Sequence, residues 1–205
     1  LLPARQADNF AAYSVYVRSF YFQVMQSKME PQIVARSLVA KADWVNAICG
    51  CQDPAARRWA LYACAKAVLP YWESRYQRDD SMQNLVDCMS MAASAPSIEN
   101  DATLKAAIPK RERKRWDLSP PPGFFEEHYS TCPADFAGDS VFHAACAFIN
   151  DPIDDHDDLS AFATAKECLA RLFVERDANY DDNKNYQDIA DDYLRQKMLE
   201  ILVDA

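Results

Sequence analysis

Apolar residues recur along this chain at the three-and-four spacing that places them on one side of a helix, to be buried against other helices. The pattern is clearest between Arg57 and Ala93. There Leu61, Cys64, Ala65, Val68, Leu69, Trp72 and Tyr76 share one helical face, and Met82, Leu85, Val86, Met89 and Ala93 share another. Asp53-Pro54 opens the first of these helices: aspartate accepts the unpaired amide hydrogens of a first turn, and proline at the first helical position forfeits no bond. Pro70 predicts a kink or a restart, because it leaves the Lys66 carbonyl without its donor. Asp79-Asp80 ends the unit, and Asp80 with Gln83 reads as a capping box for the helix that follows.

The same spacing predicts the rest of the elements. Phe10, Tyr13, Val17, Phe20, Tyr21 and Val24 form an aromatic stripe on a helix over 8–28. Glu30-Pro31 starts a second helix with Val34, Leu38, Val45 and Ile48 inward, and Gly50 stands where a C-cap favours a residue free to adopt positive φ. A short helix covers 101–108. Val141, Phe142, Ala145, Phe148 and Ile149 mark another. Phe162, Ala165, Leu169, Leu172 and Phe173 mark the next, entered through the acidic loop DPIDDHDD, and a final helix over 189–203 carries Leu194, Met198, Ile201 and Leu202 on its face.

Beta-branched alternation is missing, so the fold class is all-α, a compact bundle of about seven to eight helices. Residues 1–108 form an N-terminal helical half. The stretch 109–138, basic and then proline-rich with no sustained period, reads as a linker, and 139–205 supplies C-terminal helices that pack with the first half as one domain.

Composition narrows the function classes. The three glycines, Gly50, Gly123 and Gly138, are too few for phosphate-cradling loops or dinucleotide fingerprints. Thirty-one acidic against twenty-two basic side chains give a net charge of −9, which repels nucleic acid and favours basic partners. Seven cysteines make an odd count, and Cys64, Cys88 and Cys168 sit at helical positions like small apolar residues. That usage fits a reducing compartment. With no 18-residue apolar run and no export signal at the start of the chain, a cytoplasmic protein without membrane contact is expected.

Four clusters could carry metal or redox chemistry. Asp154, Asp155, His156, Asp157 and Asp158 fit the DDxxD pattern that holds magnesium on a diphosphate, but only 47 residues follow Asp158, too few for the second ligand motif such sites require. A solvated acidic loop capping the next helix is the simpler reading. Asp177, Asn179, Asp181, Asn183, Asn185 and Asp188 take positions 1, 3, 5, 7, 9 and 12 of a calcium-binding loop. Position 6 is Asp182 rather than glycine, and Asp188 is shorter than the bidentate glutamate, so an Asn/Asp-rich interhelical turn is expected instead. His128 with Cys132 and His143 with Cys146 have spacings that zinc could use, without the Cys-x-x-Cys knuckle of structural sites. They read as packing residues. Cys49-Gly50-Cys51 reads as a helix end, because cysteines so close in sequence close a strained ring.

Local sequence contains no nucleophile elbow, metal-protease helix or contiguous triad. Lys110, Arg111, Arg113, Lys114 and Arg115 have only Trp116 as an aromatic neighbour and read as a solvated linker rather than a nucleic-acid grip. The expectation is a protein with no catalytic residue, cofactor or bound metal.

The run Trp59, Ala60, Leu61, Ala63, then Val68, Leu69, Pro70, Trp72, Glu73, then Tyr76 and Asp79-Asp80, resembles a family of small immunity proteins from bacterial polymorphic toxin systems. YLRQKMLEIL at the C-terminus is a fainter echo, and together these cover about a quarter of the chain. The resemblance implies an all-helical inhibitor that neutralises a toxin by occluding it. The Cys88 to Met91 run and the long middle segment depart from that pattern. Partner contacts are expected at Glu73, Asp79 and Asp80 beside Trp72 and Tyr76, and at Asp154, Asp155, Asp157 and Asp158, with a basic toxin domain as the partner. The alternatives are a helical adaptor in a larger assembly, and a divalent-metal (calcium or magnesium) protein or metal-dependent enzyme that uses the 154–158 or 177–188 carboxylates.

Overall fold

The computed structural model describes residues 30–108, 132–149, 155–177 and 184–205, with the backbone alone for 155–158. The aromatic stripe of 8–28 and the basic and proline-rich stretch 109–131 lie outside the described residues. Within them every regular element is a helix: α1 (Pro31–Val39), α2 (Trp44–Cys49), α3 (Pro54–Arg75), α4 (Ser81–Ser94), α5 (Ile98–Ala107), α6 (Pro133–Ile149), α7 (Asp155–Arg176) and α8 (Tyr186–Asp204). No strand occurs among the described residues.

Helix α3 is the hub. It starts as its sequence dictates: Asp53 Oδ1 accepts from the amides of Ala55 at 3.0 Å and Ala56 at 3.3 Å, with Pro54 in the first turn. From Ala56 to Ala65 every residue except Arg58 is buried. Burial on all sides, rather than on the single expected face, means that the helix is enclosed by others, and α1, α2, α4, α6, α7 and α8 all pack on it. Its small residues Ala56, Ala60, Ala63 and Cys64, with Ala137, Ala144 and Ala145 of α6, are buried together in one core. Small side chains of this kind let neighbouring helices approach closely, and each close contact adds dispersion attraction.

Two polar nodes tie the layers together. Ser140 of α6, fully buried, donates to the Ala161 carbonyl of α7 at 2.8 Å, and the Cys64 thiol of α3 lies 3.9 Å from both oxygens. Trp44 of α2, only 1% exposed, donates through Nε1 to Asp191 Oδ2 of α8 at 3.0 Å, and its ring meets Phe162 of α7 edge-on at 5.1 Å. Lys166 completes this node with a 3.2 Å ion pair to Asp191. In both nodes a polar group that burial would penalise has found its partner.

Several expectations are corrected. The helix expected over 30–49 is two, α1 and α2, separated by turns at 40–43, and the break lets Trp44 turn into the core. Gly50 does end α2, but at φ −81°, so its left-handed freedom is unused: its amide bonds to Asn46 and that of Cys51 to Ile48, closing the end as an ordinary right-handed turn. Helix α3 runs through Pro70 without restarting, because the packing around it outweighs one lost backbone bond. Helix α5 begins at Ile98, earlier than expected, where Ser97 accepts from the Asn100 amide at 3.1 Å. Helix α6 begins at Pro133, inside the stretch read as linker; Ala134, Ala137 and Gly138 lack a strong apolar period, yet their small size is what buries them.

Candidate functional site

The first predicted contact surface lies at the turn between α3 and α4. Trp72 and Tyr76 stack 4.2 Å apart there, but both are half-buried and committed to the fold. The Trp72 ring packs against Gly138 of α6, its Nε1 donates to the Asp79 carbonyl at 3.3 Å, and the Tyr76 hydroxyl donates to the Asp135 carboxylate. The Asp135 carboxylate, accepting that proton, holds the Tyr76 hydroxyl pKa above its usual value, with burial adding to the effect. Glu73, Asp79 and Asp80 remain exposed.

The capping box expected at Asp80 and Gln83 does not form. Asp80 makes no capping bond and Gln83 donates to Asp87 instead, at 2.7 Å. Asp79 Oδ1 accepts from the Ser81 amide at 3.0 Å; the Ser81 side chain first, and this amide second, hold the Asp79 carboxyl pKa below the ordinary aspartate value. Asp80, at ψ 7°, does not have the extended backbone that a capping residue usually adopts.

The second predicted contact region, the aspartates of 154–158, falls at the start of α7. Asp155, Asp157 and Asp158 are not in a loop: they form the first turn of α7, where the helix dipole favours negative charge. Asp154 lies outside the described residues. These aspartates belong to a wider asymmetry. Seventeen of the thirty-one acidic side chains fall in residues 132–205, against six of the twenty-two basic ones; before residue 132 basic side chains outnumber acidic by sixteen to fourteen. The net negative charge of the protein is therefore carried by the part of the chain that forms α6, α7 and α8.

Between the last turns of α7 and the first of α8 is a cleft of about 300 Å³ lined by Glu167, Ala170, Arg171, Val174, Glu175, Tyr186 and Gln187. Glu167 is held twice, by Arg171 Nε at 2.6 Å and by Gln187 Nε2 at 2.8 Å. None of these residues was singled out from the sequence. Glu167, Arg171 and Glu175 do recur at i, i+4 and i+8, a charged helical stripe visible in the sequence, but Gln187 and Tyr186 join it only through the packing of α8 on α7.

The described ends of the calcium-like loop are engaged internally. Asp177 Oδ2 accepts from Lys184 Nζ at 2.6 Å and from the Tyr186 hydroxyl at 3.2 Å. Asn185 caps α8 by accepting from the Asp188 amide at 3.3 Å, and its amide donates to the Asp188 carboxylate at 2.7 Å. Asn179, Asp181 and Asn183 lie outside the described residues, as does His128. Cys132, His143 and Cys146 are half-buried at the start of α6 and along it. Among the described residues no three potential ligands converge on a point that could hold a metal ion. Cys64 and Cys168 are buried thiols, and burial pushes each pKa up to about 12, which removes them from nucleophilic chemistry near neutral pH.

The described residues thus form an all-α bundle in a chain of net charge −9. No described helix is long and apolar enough to cross a membrane. In comparisons with known proteins the chain matched no family model, no curated protein and no solved structure.

Proposed function

We propose that this protein is a non-enzymatic, cytoplasmic inhibitor of the immunity type, which binds one basic toxin domain and covers its active site. The observation that carries this reading is the segregation of negative charge into residues 132–205. A one-signed surface raises the encounter rate with an oppositely charged partner and suppresses wrong ones. The resemblance to immunity proteins adds the class of partner. Its residues Trp59, Ala60, Leu61, Ala63, Val68 and Leu69 are all buried in α3, so they speak for a shared helical core, and recognition belongs to the acidic helices packed around it.

Co-expression with a candidate toxin from a neighbouring reading frame tests the reading. Rescue of growth and a co-purifying complex are expected. Joint reversal of Asp155, Asp157 and Asp158 to Lys is expected to slow association at least tenfold and flatten its salt dependence while leaving the helical spectrum intact, because attraction between surfaces acts on encounter and is screened over about 8–10 Å. Equal killing with and without the protein, and no complex, would overturn it.

A further inference from the structure

We infer that the cleft between α7 and α8 is an anchor pocket for a cationic side chain, an arginine or lysine, of the protein's partner; this rests on the reading that the partner is basic. The cleft has the layered chemistry such a side chain needs. Ala170, Val174 and Tyr186 offer apolar surface to an aliphatic stem, and Glu167, Glu175 and Gln187 offer oxygen acceptors to its head. At about 300 Å³ it is at the small end of ligand clefts, a size suited to one side chain.

Charge in and around the cleft favours a cation once existing pairs are counted. Arg171 is neutralised by Glu167 at 2.6 Å and held 4.7 Å over the Phe136 ring, and Lys184 is neutralised by Asp177 at 2.6 Å. Glu175, exposed on the rim, makes no ion pair among the described residues. Among the residues that line the cleft this leaves Glu175 as the one carboxylate without an ion pair; Arg176, next along the helix, is exposed but is not part of the lining. Tyr186, 8% exposed, contributes an apolar wall rather than a free aromatic face, since Lys184 Nζ already lies 5.3 Å from its ring centroid.

The probe is N-acetyl-arginine amide, titrated into the isotope-labelled full chain and followed by NMR, with N-acetyl-glutamate amide as its counterpart. Saturable shifts in Val174, Tyr186 and Gln187 with the arginine probe alone are expected, and Glu175→Gln, a change on the exposed rim that leaves the core untouched, is expected to weaken them at least threefold. Shifts confined to the Asp79–Asp80 turn, equal shifts with both probes, or a Glu175→Gln protein that binds as tightly as the parent would each overturn the pocket. The parent reading fails separately: a cleft that binds the arginine probe in a protein that rescues no cell leaves the pocket standing and removes the toxin.

Discussion

Trp72 of α3 lies so close to Gly138 of α6 that a methyl group on Gly138 would stand 2.6 Å from the ring carbons Cε3 and Cζ3. The glycine is needed for space rather than for backbone freedom, since it sits inside a helix. Alanine in place of an interior helical glycine ordinarily stabilises by up to about 1 kcal/mol, whereas forcing an atom into a packed contact costs about 1–3 kcal/mol. Gly138→Ala is therefore expected to lower the urea-unfolding free energy by about 1–2 kcal/mol. In a Trp72→Ala background the obstacle is gone, and the same substitution is expected to become neutral or stabilising. A cycle in which the two changes simply add would show that these residues do not touch.

The helix start at α4 offers a test that separates neighbouring aspartates. Asp79 accepts the Ser81 amide and Asp80 caps nothing, so Asp79→Ala is expected to cost about 0.5–1 kcal/mol and Asp80→Ala little. The pH sign follows from the lowered Asp79 pKa. Its contribution is present above the unfolded value near 3.8 and is lost as pH falls below it toward the folded value. Thermal melts of both variants at pH 7 and pH 3 check the order and the sign.

Buried thiols predict weakness in alkali. Cys64 and Cys168 stay protonated in the folded state up to about pH 12, while in the unfolded chain they ionise near 9. A raised folded pKa contributes stability that is fully present below pH 9 and is lost between 9 and about 12, with a slope of up to about 1.4 kcal/mol per pH unit for each group. The Tyr71 hydroxyl, raised by burial and then by its neighbour Tyr193, acts in the same direction. Replacing both cysteines by Ala is expected to flatten the stability profile above pH 9. In the native state neither thiol is expected to react with a disulfide reagent at pH 8 on the timescale on which unfolded protein does.

Calcium at millimolar concentration is expected to leave the melting temperature within about a degree of its starting value. Asp177 is held by Lys184 and Tyr186, and Asp188 by Asn185, so a cation would have to displace bonds already made at both ends of the loop. A ligand that binds only the folded state stabilises by about 2.7 kcal/mol at a hundred times its dissociation constant. A shift of that size, abolished by Asp181→Ala, would restore the calcium reading.

The helices were legible in the sequence wherever a wide apolar stripe repeats, because burying such a stripe dominates local preference: Leu61 to Leu69, Met82 to Ala93 and Leu194 to Leu202 all fall where their spacing placed them. The start of α3 was legible too, since Asp53 and Pro54 act within one turn. What the spacing could not convey was the partner of each face. A period of 3.6 identifies an apolar side and is silent about what covers it, so the central place of α3, the inward commitment of Trp72 and Tyr76, and the Trp44–Asp191 bond across 147 positions were decided by packing alone. The same limit hid the first two turns of α6, where alanine and glycine carry too little apolar signal to mark a face yet are the residues that let two helices meet. It also hid the α7–α8 cleft, whose acidic rim is half legible as a stripe on one helix and becomes a pocket only when Tyr186 and Gln187 of the other close it.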